Sequence, residues 1–116
     1  MDKMNDCITP VPNGTYEVRH NGELLATCKV HTLADRAEIE ENIIIWKRHD
    51  GELSPTPAPS SKIIIWNVLK ALISWRNGDI TYENVANNRV DTEIIFKKVQ
   101  EKEVEIARAV EANLKN

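Results

Sequence analysis

Thr15-Tyr16-Glu17-Val18-Arg19-His20-Asn21-Gly22-Glu23-Leu24-Leu25-Ala26-Thr27-Cys28-Lys29-Val30 is the segment from which the architecture is built outward. Polar and apolar residues alternate on either side of His20-Asn21-Gly22, as in a half-buried antiparallel hairpin. Side-chain faces discriminate between turn lengths. A two-residue Asn21-Gly22 turn would pair Val18 with Leu25 and set Cys28 and Val30 against the face of Tyr16. A three-residue loop pairs Val18 with Leu24 and Tyr16 with Ala26, gathering Tyr16, Val18, Leu24, Ala26, Cys28 and Val30 on one face. A one-residue slip exchanges the faces, so burial selects register. The expectation is the three-residue loop, with Gly22 left-handed at a bulge.

Beyond the hairpin the spacing turns helical. Thr32 reads as an N-cap, with Asp35 three residues on in an approximate capping box. Ile39, Ile43 and Trp46 recur at helical spacing, Lys47, Arg48 and His49 suit the negative end of the dipole, and Gly51 is a plausible stop. Pro55, Pro57 and Pro59 then alternate with small residues, which predicts a semi-rigid extended linker over 54–61. Ser61 can cap a second helix from Lys62 to Trp75, apolar at most positions. A helix apolar all round is central to a core or shared with an interface. Gly78 ends it, Thr81 caps a short helix from Tyr82 to about Asn87, and a long last helix runs from Asp91 or Thr92 to about Leu114. The tetrapeptide Ile-Ile-Ile-Trp occurs twice, at Ile43–Trp46 and Ile63–Trp66, with unmatched flanks, so a repeat architecture does not follow. The expected fold class is α+β and mostly helical: an N-terminal β-hairpin followed by about four helices, the last one long. Residues 1–13 read as a loose polar arm and 14–116 as one domain.

Composition narrows the function classes. The chain has 116 residues, 41% hydrophobic and 28% charged, close to an ordinary globular mix. A net charge of −3 with no run of Lys or Arg gives no electrostatic footprint for nucleic acid. Ile63–Trp75 is too short and too interrupted, by Asn67 and Lys70, to span a membrane. Cys7 and Cys28 do not make a disulfide framework, and the N-terminal residues lack the apolar core of a signal peptide, so reduced thiols and a cytoplasmic setting are expected.

No catalytic constellation emerges. His20, His31 and His49 are dispersed, whereas zinc ligands usually come in close pairs. Cys28 and His31 are offset by three residues at a strand end, which points them to opposite faces. Glu38, Glu40 and Glu41, and Glu101, Glu103 and Glu105, scatter around helices as solvated groups. The four glycines all fall in turns, with no phosphate-binding loop. No serine or cysteine stands beside an evident base. The expectation is a non-enzyme without cofactor or metal. Trp46, Trp66 and Trp75 read as core residues. The chain nevertheless holds more apolar helix surface than one small core absorbs, which points to self-association or to capture of a protein partner. Ile63, Trp66, Leu69, Ile73 and Trp75 are the candidate partner-binding residues.

Three segments resemble the tail assembly chaperones of long-tailed (siphovirus-type) bacteriophages. They are Tyr16-Glu17-Val18-Arg19-His20-Asn21-Gly22-Glu23 leading to Thr32-Leu33-Ala34-Asp35-Arg36; Leu72-Ile73-Ser74-Trp75 followed by Asp79-Ile80-Thr81-Tyr82-Glu83-Asn84-Val85; and the charged helix ending at Ala112-Asn113-Leu114-Lys115-Asn116. The resemblance implies a chaperone that attends the tape measure protein during tail assembly in the host cytoplasm and is absent from the finished virion. The major tail protein is a further partner on that reading, homo-oligomers are expected from the surplus apolar surface, and neither nucleic acid nor membrane is expected as a partner from the charge and the length of the apolar run. The proline-rich stretch has no counterpart in that pattern. A head–tail joining protein, another structural phage protein, or a small enzyme with an unrecognised site are the alternatives.

Overall fold

In the computed structural model, which describes residues 14–115, Thr15–His20 (β1) and Glu23–Lys29 (β2) form the expected hairpin. The expected N-terminal arm lies outside the described residues. The turn differs from expectation. Asn21 and Gly22 both take positive φ, 52° and 83°, and His20 pairs directly with Glu23. That is the tight two-residue turn whose twist matches its strands. A bulge then shifts the register between Val18 and Arg19, so Val18 pairs with Ala26 and Tyr16 with Cys28. One extra residue on β2 lets the tight turn and a shared apolar face coexist. Leu25 takes the buried place (2% exposed) that the three-residue loop had assigned to Leu24 (42%).

Thr32 opens α1 (Leu33–Ile43) with a complete capping box: its Oγ1 accepts from Asp35 N–H, and its own N–H donates to the Asp35 carboxylate. Burial opposes the charge on Asp35, but its hydrogen bonds with Lys29 and Thr32 hold the carboxyl below its usual range. The helix ends at Ile43, where the expectation carried it on toward Gly51. Ile44–His49 is instead a strand, β3, that turns at Asp50-Gly51 and pairs antiparallel with β4 (Glu52–Pro57). The β-branched run Ile43-Ile44-Ile45 favours an extended backbone once the helix lacks a partner face. The proline-rich stretch is correspondingly a strand over much of its length, and a linker over 54–61 is not observed.

Ser60–Ala71 forms α2, entered from Pro59 with no side-chain cap, so Ser61 lies inside the helix and does not cap it. The expected helix to Trp75 stops at Ala71, because Leu72–Trp75 (β5) pairs with β2, Ala26 opposite Trp75 and Cys28 opposite Leu72. The result is a three-stranded sheet in the order β1-β2-β5, separate from the β3-β4 ribbon. Thr81 caps α3 (Tyr82–Asn87) by accepting from Asn84 N–H, as expected. Helix α4 (Arg89–Lys115) begins slightly earlier than expected and is the longest element. The chain is α+β and mostly helical.

The core lies between the three-stranded sheet and the helices. Val18, Leu25, Ala26 and Cys28 meet Val68 and Ala71 of α2, Val85 of α3, and Ile95 and Val99 of α4, all nearly water-free. Each valine, leucine or isoleucine among them contributes ~1.5–3 kcal/mol through burial. A second clamp ties β5 to α4: Arg76 Nε and Nη2 each donate to the Asp91 carboxylate at 2.9 Å, and Asn77 Nδ2 donates to the same group at 2.9 Å. These donors, Arg76 foremost, hold the Asp91 carboxyl below its usual range against the opposing effect of burial. The β3-β4 ribbon stands apart from this core. The radius of gyration is 17.0 Å, against ~13 Å for a compact domain of about 100 residues. The long α4 and the projecting ribbon account for the excess.

Candidate protein-binding surface

Alternation along β3 and β4 places Ile44, Trp46 and Arg48 on one face with their cross-strand neighbours, Trp46 opposite Pro55 and Arg48 opposite Leu53. That face is apolar and open. Trp46 is 62% exposed, Leu53 58% and Ile44 39%. The expected burial of Trp46 is therefore overturned. Its helical spacing with Ile39 and Ile43 had no meaning once the backbone became extended at Ile44. Trp66 is half-buried on α2, its ring 5.6 Å from that of Tyr82. Trp75 is the core tryptophan, at 9% exposed, with Nε1 directed at Asp79 O.

At the base of the ribbon, α1, α2 and α4 enclose an open groove of about 450 Å³. Ile39, Ile43, Ile63, Phe96 and Val104 supply apolar walls, and Ile43 carries the groove to the foot of β3. One end is polar. The buried His31 places Nε2 2.9 Å from Asn67 O and Nδ1 3.6 Å from the Glu103 carboxylate. Arg36 Nη1 lies 3.8 Å from the other Glu103 oxygen.

The candidate residues read from the sequence do not form one patch. Ile63 lines the groove and Trp66 lies half-buried beside Tyr82. Leu69 packs against the core and Trp75 is part of it, while Ile73, 45% exposed, projects from β5. Sequence reasoning missed Trp46, Leu53 and Pro55 as surface residues. The one available signal was the β-branched run before a Gly turn and alternating prolines.

The chemistry-bearing side chains are engaged elsewhere. Cys28 is wholly buried, and burial pushes its thiol up to about 12, which keeps it from acting as a thiolate. Cys7 lies outside the described residues. Glu38 pairs with Lys70 at 2.7 Å, Glu101 with Lys98 at 3.5 Å and Glu105 with Lys102 at 3.6 Å. Among the described residues no three His, Cys, Asp or Glu side chains gather closely enough to hold a metal ion. Nor is any described helix long and apolar enough to cross a membrane. Comparison with known protein families, with curated proteins and with solved structures found no match to this chain.

Proposed function

We propose that this chain is a non-catalytic protein-binding domain that masks an apolar helical stripe on a partner, in the manner of a tail assembly chaperone attending a tape measure protein. The observation that carries the reading is Trp46, a large aromatic set 62% exposed at the centre of an apolar ribbon face. Exposed apolar patches mark interaction sites, and tryptophan is enriched among the residues that dominate binding energy. The groove beneath the ribbon adds the apolar side chains of Ile39, Ile43, Ile63, Phe96 and Val104, the kind of lining against which the apolar face of a helix packs. A long helical tail protein exposes stripes of this kind before it is enclosed. Covering them is a task of burial, with no bond made or broken.

The partner surface is accordingly moved from the Ile63–Trp75 run to the ribbon face and groove, with Ile63 common to both. Co-expression with the tape measure gene, followed by co-purification at low and high salt, tests the reading. A complex that survives high salt is expected, since apolar burial is not screened. A folded domain that captures nothing at either salt overturns the chaperone reading. A complex lost steeply with salt contradicts the apolar mechanism.

A further inference from the structure

The two strands of the β3-β4 ribbon present different outer edges. Asp50 and Gly51, at φ 51° and 82°, form a two-residue turn, which makes His49 and Glu52 a hydrogen-bonded pair. At the other end the Ala58 N–H donates to Ile43 O at 2.6 Å, which fixes the same parity. Between these limits Ile45 with Thr56, and Lys47 with Ser54, exchange bonds inside the ribbon. Ile44, Trp46 and Arg48 on β3, and Leu53, Pro55 and Pro57 on β4, therefore direct their backbone groups outward. Proline has no N–H, so the two prolines sit where the ribbon loses nothing and its β4 edge loses two of its three outward donors, leaving that of Leu53 beside the turn. That edge is blunted against a further strand, while β3 keeps every outward donor and acceptor.

We propose that the open edge of β3 pairs antiparallel with β3 of a second copy of this chain, centred on Trp46. The product is a continuous sheet in the order β4-β3-β3-β4. In that register Ile44 faces Arg48 of the second copy and Trp46 faces its counterpart, so every outward donor and acceptor of the three residues is met. Charge disfavours the neighbouring register on the turn side. Lys47 falls opposite Ile45, whereas a shift toward the turn would set Lys47 against Lys47, an unfavourable like-charge pair. Closure follows from the prolines, because both outer edges of the joined sheet are β4 edges, and the assembly stops at two copies.

The pairing uses the backbone edge, so it stands whether or not the apolar face takes the partner proposed above. It sets two such faces side by side. A strand edge and a pair of tryptophan rings bury less than the ~800 Å² per partner of a standard stable interface. The dimer is therefore reversible and dissociates on dilution.

Sedimentation equilibrium from micromolar to millimolar protein, with amide hydrogen exchange at Trp46, tests the proposal. The native chain should show a monomer–dimer equilibrium, and the Trp46 amide should exchange more slowly as dimer accumulates. Arg48→Pro removes an outward backbone donor and leaves the backbone bonds inside the ribbon in place; measured against Arg48→Ala, which likewise loses the Nη1 bond to Gly51 O, it should weaken the dimer by at least about tenfold. Pro55→Thr restores a donor to the β4 edge and should add species larger than a dimer. A chain monomeric throughout overturns the proposal, as does a dimer whose formation leaves Trp46 exchange unchanged. Should Arg48→Pro fail to fold, the exchange measurement on the native chain decides alone.

Discussion

Replacing Trp46 and Trp75 separately by alanine separates the surface from the core at fixed chemistry. Trp75 is 9% exposed, lies in the core cluster and directs Nε1 at Asp79 O. Its removal leaves a cavity and should cost ~3–5 kcal/mol. Trp46 is 62% exposed, so well under half of its surface is withdrawn from water. Of the ~150–250 Å² an aromatic side chain can bury, that is on the order of 60–95 Å². At ~25 cal/mol per Å² the covered part is worth about 1.5–2.5 kcal/mol, an upper bound because the unfolded chain is not fully extended. Trp46 lies opposite Pro55 in the ribbon and outside the core cluster, so its loss frays the ribbon more than it unfolds the core. The gap between the variants is therefore ~2 kcal/mol, a factor of about 30 in the folding equilibrium. Urea unfolding followed by far-ultraviolet circular dichroism reads this as a large fall in midpoint for Trp75→Ala and a small one for Trp46→Ala. Equal or greater loss in the Trp46 variant would refute the assignment of that ring to the surface.

Three other expectations follow from the same geometry. The folded-state pKa of Asp91 is depressed, so its stabilising contribution is present above its unfolded value, ~3.9, and disappears as pH falls through the folded one. Urea midpoints of the native chain and Asp91→Asn should differ at neutral pH and converge in strong acid. Thr81→Ala removes the cap on Asn84 N–H and should cost ~0.5–2 kcal/mol, read as a lower thermal midpoint. Cys28 should resist alkylation in the folded protein and react on unfolding in urea, which mass spectrometry of the labelled peptide reads directly.

What could be read from the sequence was local. The Thr32–Asp35 box and the Thr81 cap depend on residues three apart, and both stand where their spacing puts them. The N-terminal hairpin followed from alternation, but its register turned on a bulge that alternation does not encode. The two Ile-Ile-Ile-Trp tetrapeptides mark the limit. The first is largely strand and the second lies within α2, so local preference cannot separate them. The second is held helical by packing against α1, α3 and α4, whereas the strand part of the first, Ile44–Trp46, pairs with a proline-bearing strand. Alternating prolines suggested a linker because proline removes a donor. They are compatible with a strand because the missing donors all face outward. The candidate surface was harder still to read, since the exposure of Trp46 depends on that misjudged strand, and Leu72–Trp75 was assigned to a helix when it completes a sheet.

The central proposal is that the ribbon face and the groove beneath it receive an apolar helix of a partner. Hydrogen–deuterium exchange of the chain, alone and with the proposed tape measure partner added, tests it most directly. New protection should concentrate in residues 43–57 and in the segments of α1, α2 and α4 that line the groove. Protection confined to the β1-β2 hairpin and α3, with residues 43–57 exchanging as in the free chain, would contradict it.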